Sequence, residues 1–307
     1  MEERIYTPLE AAEMLRVKKN TIYEMIKKGT LTATKMGKQF RIRESDLNRL
    51  LTPGSAGSSA VGPDVGTSPL DHPASSTIIV CGQDIVLDLL CSNVNSRLGS
   101  ASFVRSYQGS YNGLHAMYKN EVTVASAHLW DQETDTYNTP FIKHLLPGEQ
   151  IHLFHILSRP VGLYVQKGNP KQISKVSDFE REDVTIVNRE KGSGIRILMD
   201  SLLQMEQIDA RGIRGYGREV SSHLAAAALV AKTGADCAMG IKNVAQQFQN
   251  VDFVFLKNEE YDLAVRESDL DRPAIRLMIE TLQSRSFQDE IDAMGLYDIK
   301  EMGKRLL

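Results

Sequence analysis

No apolar run in this chain approaches the roughly 20 residues that cross a bilayer, and the Met1-Glu2-Glu3-Arg4 start carries no apolar signal segment. The expectation is a cytoplasmic protein with no membrane contact. The three cysteines, Cys81, Cys91 and Cys237, are widely spaced and form no CxxC pair. That spacing indicates reduced structural thiols rather than a disulfide framework or a zinc site. GxGxxG and GxxxxGK[ST] are both absent, so neither common nucleotide-phosphate loop is present. His152 and His155 stand three apart in an apolar, strand-like run, where core or edge histidines are expected rather than metal ligands. Cys237 beside Asp236 reads as a small buried hydrophobe, because no motif joins it to a base. No enzyme, no cofactor and no resident metal are therefore expected.

What is there is a chain of 307 residues with 42% hydrophobic content, enough for two domains with real cores. The formal charge of −3 is unevenly spread. Residues 1–51 hold 11 Lys/Arg against 7 Asp/Glu, a net of +4, and the remainder holds 25 against 32, a net of −7. A small basic head on an acidic body points the head, and not the body, toward a polyanion.

In the head, Thr7-Pro8-Leu9-Glu10 is a capping box with proline at the first helical position. A short break at Arg16-Val17-Lys18 precedes a second helix from Asn20 to Lys28, stopped by Gly29. Lys18, Lys19, Asn20, Thr21, Tyr23 and Lys27 fall at its start or on its polar side, the helix-turn-helix pattern. Residues 31–43 read as a hairpin with a basic tip, and Ser45 to Leu50 as a short closing helix. The order of these parts resembles the excisionase-type winged helix-turn-helix module, related to the MerR DNA-binding head, over residues 5–51. The resemblance implies double-stranded DNA as partner. Lys18, Lys19, Asn20, Thr21, Tyr23 and Lys27 would face the major groove, with Lys35, Lys38 and Arg41 on phosphate or in the minor groove.

Residues 52–76 are rich in Pro, Gly, Ser and Ala, nearly uncharged and without apolar periodicity. They read as a flexible linker and a domain boundary. From 77 to 307 strands and helices alternate, which predicts an α/β domain of parallel sheets with helices on both faces. The expected strands include 77–80, 101–107, 122–125, 152–157, 161–166, 251–256 and 261–265.

The central element is Val187-Asn188-Arg189-Glu190-Lys191-Gly192-Ser193-Gly194-Ile195-Arg196. A β-branched strand runs into a Gly-Ser-Gly turn and an amphipathic helix. Glycines allow close backbone approach, Ser193 caps or donates, and the helix start favours an anion. The same turn also works as a cap that binds nothing. Gly109-Ser110 and Ser221-Ser222 repeat its chemistry, and Ser126-Ala127-His128 follows another strand. In open α/β sheets such strand ends converge on one crevice, so neutral donors gathered there suit a small oxyanion.

The motifs "YQGSYNGLHAMYKNEVTVASAHLWD", "LPGE", "VNREKGSGIRILMD", "GREVSSHLAAAALVAKTGADCAMGI" and "YDLAVR" together resemble the periplasmic-binding-protein-like domain of molybdate-binding type. That family also occurs fused to helix-turn-helix heads in cytoplasmic regulators. The resemblance implies a two-lobed type II fold, lobe one being 77–158 with 253–307 and lobe two 159–252. Gly109, Ser110, Ser126 and His128 would present from lobe one. Asn188, Arg189, Gly192, Ser193, Gly194, Arg196, Ser221 and Ser222 would present from lobe two. Ile195 stands where the family commonly has Thr, so one hydroxyl donor is missing. Arg189 and Arg196 either add charge to the site or pair with Glu190, Asp200 or Glu219; the sequence leaves both open.

The reading is a DNA-binding transcriptional regulator whose body senses molybdate or tungstate, the metal entering only as bound oxyanion. A homodimer is expected, because one short head gives little affinity and half-sites come in pairs. Two alternatives stand beside it. One is an enzyme-like or ligand-binding module of molybdenum-cofactor metabolism with a docking head. The other is a ligand-independent architectural DNA binder.

Overall fold

A computed structural model describes residues 5–14, 22, 31, 33–36, 39–43, 77–98 and 102–307. The chain divides into two compact units, residues 1–71 and 72–307.

In the first unit, β2 (Thr34–Met36) and β3 (Gln39–Arg43) form the expected hairpin, and β1 (Ile5–Tyr6) adds a strand on the far side of β3. Helix α1 (Pro8–Met14) is closed by reciprocal capping. The Thr7 amide donates to Glu10 Oε2 at 2.7 Å, and the Glu10 amide donates to Thr7 Oγ1 at 3.3 Å. Ala11, Ala12, Ile22, Leu31 and Ile42 form its small core. Lys35 lies in β2 and Arg41 in β3, where Nη1 of Arg41 donates to the Phe40 carbonyl. Lys18, Lys19, Asn20, Thr21, Tyr23, Lys27 and Lys38 lie outside the described residues. So do the 52–76 linker, the closing helix and, apart from Ile22, the second helix.

The second unit runs β4 (Thr77–Cys81), α2 (Ile85–Asn95), β5 (Ser102–Ser106), α3 (Ser110–Tyr118), β6 (Val124–Ala127), then the small pair β7 (Trp130–Asp131) and β8 (Thr136–Tyr137). It continues through α4 (Thr139–Leu145), β9 (Ile151–Gln166), β10 (Ile186–Arg189), α5 (Gly194–Met205), β11 (Glu219–Val220), α6 (His223–Ala231), β12 (Cys237–Ile241) and α7 (Lys242–Ala245). Strand β13 (Val251–Arg266) and helices α8 (Pro273–Gln283) and α9 (Arg285–Asp292) complete it. Eight strands make one sheet of order β11-β10-β12-β9-β13-β6-β4-β5.

The expectation of parallel sheets holds only within each half. Strands β4, β5 and β6 pair parallel, as do β10, β11 and β12, but β9 is antiparallel to β12 and β13, and β13 to β6. The expected strand pairs 152–157 with 161–166, and 251–256 with 261–265, each merge into one 16-residue strand. The Ser158-Arg159-Pro160 break did not end the first strand. Pro160 lies opposite Asn258 of β13, and β12 pairs with β9 only over Val161–Val165. The missing N–H thus falls beyond the end of that ladder, where proline is tolerated. Two long antiparallel strands therefore cross from one lobe to the other.

Each half-sheet is buried on both faces, which is why its strands read as continuous apolar runs. In the lobe built on β4–β6, Val80, Leu87, Leu263 and Met278 pack on one face, and Leu114, Met117, Ala125 and Leu153 on the other. In the lobe built on β10–β12, the two faces are Leu163, Phe179, Leu198 and Met239, and Tyr164, Ala227 and Val230. The three cysteines are free and buried; burial pushes the Cys91 thiol up to about 11. Leu263 is fully buried on the crossing strand β13. Leu263→Ala should cost about 2–5 kcal/mol of stability. Denaturant titration should show a lower midpoint with an unchanged slope.

Candidate functional site

The strand ends of both lobes and the two crossing strands enclose one cavity. Its wall comprises Gly82, Gln83 and Asp84 after β4, Gln108, Gly109 and Ser110 at the start of α3, and Ser126 and His128 at the end of β6. The other lobe gives Arg189, Ser193, Gly194, Ile195 and His223, and the crossing strands give Arg159 and Tyr261. About 20 Å³ is open to the centres of water-sized groups. Room of that order suits only a guest of a few heavy atoms.

The donors come from helix starts. Ser193 caps α5: its hydroxyl accepts from the Arg196 amide at 3.3 Å and donates to the Glu190 carbonyl at 2.9 Å. This leaves the Gly194 and Ile195 amides without acceptors among the described residues, as the first turn of a helix does. Ile195 packs its side chain in the core, so the position that lacks the family's hydroxyl still presents its N–H. At α3 the Ser110 amide is likewise free, and Ser110 Oγ accepts from the His128 amide at 3.2 Å. Its hydroxyl hydrogen remains to donate.

The cations are balanced in place. Arg159 donates through Nε to Glu259 Oε1 at 2.6 Å and through Nη1 to Asp84, and stacks 4.6 Å over the Tyr261 ring. Burial alone would raise the Glu259 pKa; His128 and Arg159 outweigh it by charge and hydrogen bonding and hold the carboxyl down to about 2. An ionised Glu259 only accepts, so His128 Nδ1, 2.9 Å away, carries a proton. Arg189 gives Nε and Nη2 to Glu190 at 2.7 and 2.8 Å, and Nη2 also to Gln83 Oε1 and the Ser221 carbonyl. Nη2 of Arg159 and Nη1 of Arg189 have no acceptor among the described residues. Ser126 donates to the Cys81 carbonyl and therefore accepts from Tyr261 at 2.6 Å, so both hydroxyls are committed.

Seven residues named from the sequence reach this wall: Gly109, Ser110, Ser126, His128, Arg189, Ser193 and Gly194. Five do not. Asn188 bonds the Arg189 amide and the Tyr216 carbonyl within its sheet edge, and Ser222 caps α6 through the Ala225 amide at 3.1 Å. Ser221 offers only its carbonyl, to Arg189. Arg196 faces an outer cleft, pairs with Asp200 and Glu219, and stacks 4.4 Å over Tyr216. Gly192 serves the seam between the lobes. Its carbonyl accepts from the Tyr111 amide at 3.0 Å, and Asn112 Nδ2 donates to the Lys191 carbonyl at 3.2 Å.

At that seam the backbone of one lobe meets the Asn112 side chain and the backbone of the other. Gly192 has φ +88°, and a Cβ there would meet Asn112 Oδ1 at 2.1 Å. A Cβ on Gly109 would meet Ser193 Cα at 2.5 Å. Sequence reasoning missed Arg159, Tyr261, Asp84 and His223. Their signals were an arginine and a tyrosine inside strand runs, an aspartate capping α2, and a histidine one residue past a capping serine. His152 and His155 lie in β9, bonded to Glu267 and Asp262.

A family model described as PBP superfamily domain matches residues 92–283, and one described as helix-turn-helix domain matches residues 5–55. The chain is 36% identical over 311 residues to "Uncharacterized protein YvgK" of Bacillus subtilis (strain 168), covering 100% of this chain and 99% of that one. Its body shares its fold with a Clostridium perfringens protein described as a phosphate ABC transporter substrate-binding protein with bound phosphate. That likeness has TM-score 0.55 at 14% identity, covering 73% of this chain and 100% of that one. An ABC-type phosphate transport receptor from Vibrio cholerae matches with TM-score 0.51 at 14% identity over 72% and 99%. The body is thus a type II periplasmic-binding-protein-like domain, preceded by an excisionase-like helix-turn-helix domain. The chain belongs to the PBP superfamily, in an architecture that makes it a DNA-binding regulator with a ligand-binding domain.

The Glu259 carboxyl sits below its ordinary value. Its contribution to stability is therefore complete above about pH 4.5 and is lost as pH falls toward its folded value of about 2. Acid titration of stability should show a shallower loss over that window in Glu259→Gln, which starts less stable at pH 7. Gly192→Ala should separate the seam. Ligand affinity should fall at least tenfold while the far-ultraviolet circular dichroism spectrum is unchanged.

Proposed function

We propose that the protein is a cytoplasmic, one-component transcriptional regulator, non-enzymatic and homodimeric, whose body captures a small tetrahedral oxyanion. The observation that carries this reading is the wall of the cavity. Three backbone amides, one hydroxyl and two guanidinium nitrogens without acceptors surround a void of oxyanion size. Donors preorganised around a small void favour an acceptor-rich guest.

The resemblance to the molybdate-binding type supports molybdate or tungstate as the guest. Capture would favour the closed arrangement held at Gly192 and Asn112, and closure is a two-state element that a ligand can bias. Closure would then change how two basic heads address paired half-sites on DNA. Gly109, Ser110, His128, Arg189, Gly194, Ile195 and Arg159 are the proposed ligand contacts. Lys18, Lys19, Asn20, Thr21, Tyr23, Lys27, Lys35, Lys38 and Arg41 are the proposed DNA contacts.

Thermal unfolding with molybdate, tungstate, sulfate, phosphate or no addition tests the sensing half. An anion at about a hundred times its dissociation constant should stabilise the body by about 2.7 kcal/mol, several degrees in Tm. A shift with molybdate and tungstate alone supports the reading, and no shift with any of the four removes it. Operator selection under the same conditions tests the DNA half. Lys35→Ala with Lys38→Ala should weaken binding across sequences and reduce its salt dependence.

A further inference from the structure

One side chain in the cavity wall has no use in the account above. His223 is the first residue of α6, directly after the Ser222 cap. It is 9% exposed, lines the cavity, and its Nδ1 is buried with no hydrogen-bond partner among the described residues. Buried polar nitrogens are almost always partnered, so an unpartnered one on a side chain that lines the cavity is a group a bound anion could satisfy.

The charges around His223 decide its protonation. Arg189 approaches from β10, Arg159 from β9 and His128 from the end of β6. Asp84 follows β4, and Glu259 and Tyr261 come from β13. Asp84 and Glu259 are both bonded to Arg159, and Glu190 to Arg189. Among the described residues no carboxylate is bonded to Nδ1 of His223. Burial first, then the positive charges of Arg189 and Arg159 with His128 beside them, keep its pKa well below the ordinary value. The helix start beneath it acts in the same direction. These influences all favour the neutral imidazole.

A dianion reverses that field at contact distance. We propose that His223 is a ligand contact that takes one proton from solvent when a dianionic oxyanion enters, so that capture is proton-linked. The step is balanced: buffer loses a proton, the imidazole gains it, and the new N–H donates to a ligand oxygen. The cavity then takes in one net negative charge rather than two, which suits a site whose arginines already have carboxylate partners. The inference rests on the cavity taking an oxyanion. Its sign follows from linkage. Affinity rises as pH falls from the bound-state pKa of His223 to its lower ligand-free value, by up to tenfold per unit, and the proposal places pH 6 to 8 within that window.

Isothermal titration of the full-length protein with sodium molybdate tests it, because molybdate stays a dianion near neutral pH. Heats measured at pH 7 in two buffers of different ionisation enthalpy give the number of protons exchanged. Close to one proton taken up by the wild type, near zero for His223→Gln and close to one for His128→Gln is the expected pattern. Binding by the wild type without proton uptake overturns the proposal, as does uptake that survives in His223→Gln. Should that variant not bind, the wild-type pH profile decides, read from the single tryptophan, Trp130. A tenfold loss of affinity per unit rise in pH supports the linkage, and a flat profile between pH 6 and 8 overturns it. A wild type that binds none of molybdate, tungstate, sulfate or phosphate defeats the oxyanion reading itself, and this proposal with it.

Discussion

The buried chain of charges Asp84–Arg159–Glu259–His128 is the constraint on which the rest of the body depends. It links the loop after β4, both crossing strands and the end of β6. Removing one partner of such a set leaves an uncompensated charge in the interior, at a cost of about 3–5 kcal/mol. Replacing the whole set by apolar residues would cost far less. The arrangement is therefore not the most stable one available for this cavity floor. What it provides is geometry: one guanidinium edge and one imidazole edge fixed at the point where the two lobes meet.

The same chain explains what the sequence could and could not disclose. The capping box at Thr7 and Glu10, the hairpin over residues 34–43, and the strands before α2, α3 and α5 were legible because each rests on local periodicity or a local hydrogen bond. The Gly-Ser-Gly turn was legible for the same reason, with glycines and a cap in sequence. The long crossing strands were not. Ser158-Arg159-Pro160 and Asn258-Glu259-Glu260 read as breaks between short strands, since charges and proline inside a strand argue against it. Their partners are more than 70 residues away, and only tertiary pairing makes Arg159 and Glu259 compatible with burial.

Arg189 and Arg196 show the limit from another side. The sequence offered each a choice between the site and a nearby carboxylate. Arg189 takes both, bonding Glu190 while turning one Nη to the cavity wall, whereas Arg196 is spent on Asp200 and Glu219 outside it. Nothing in residue spacing separates these outcomes: Arg189 ends strand β10 and Arg196 stands in the first turn of α5, on either side of one short loop. The deciding factor is which face of the turn the other lobe covers.

The internal neutralisation of the cavity sets how the two ends of this molecule respond to the ionic medium. Screening acts on exposed charges separated by about a Debye length and hardly reaches a dry, balanced interior. Contacts between lysines and phosphates release counterions and weaken steeply as salt rises. A guest enclosed by amides and paired arginines would thus be held almost equally well at low and high ionic strength, while the grip of a basic head on a duplex would not. A rise in salt concentration would mute the output of such a protein without altering what it detects.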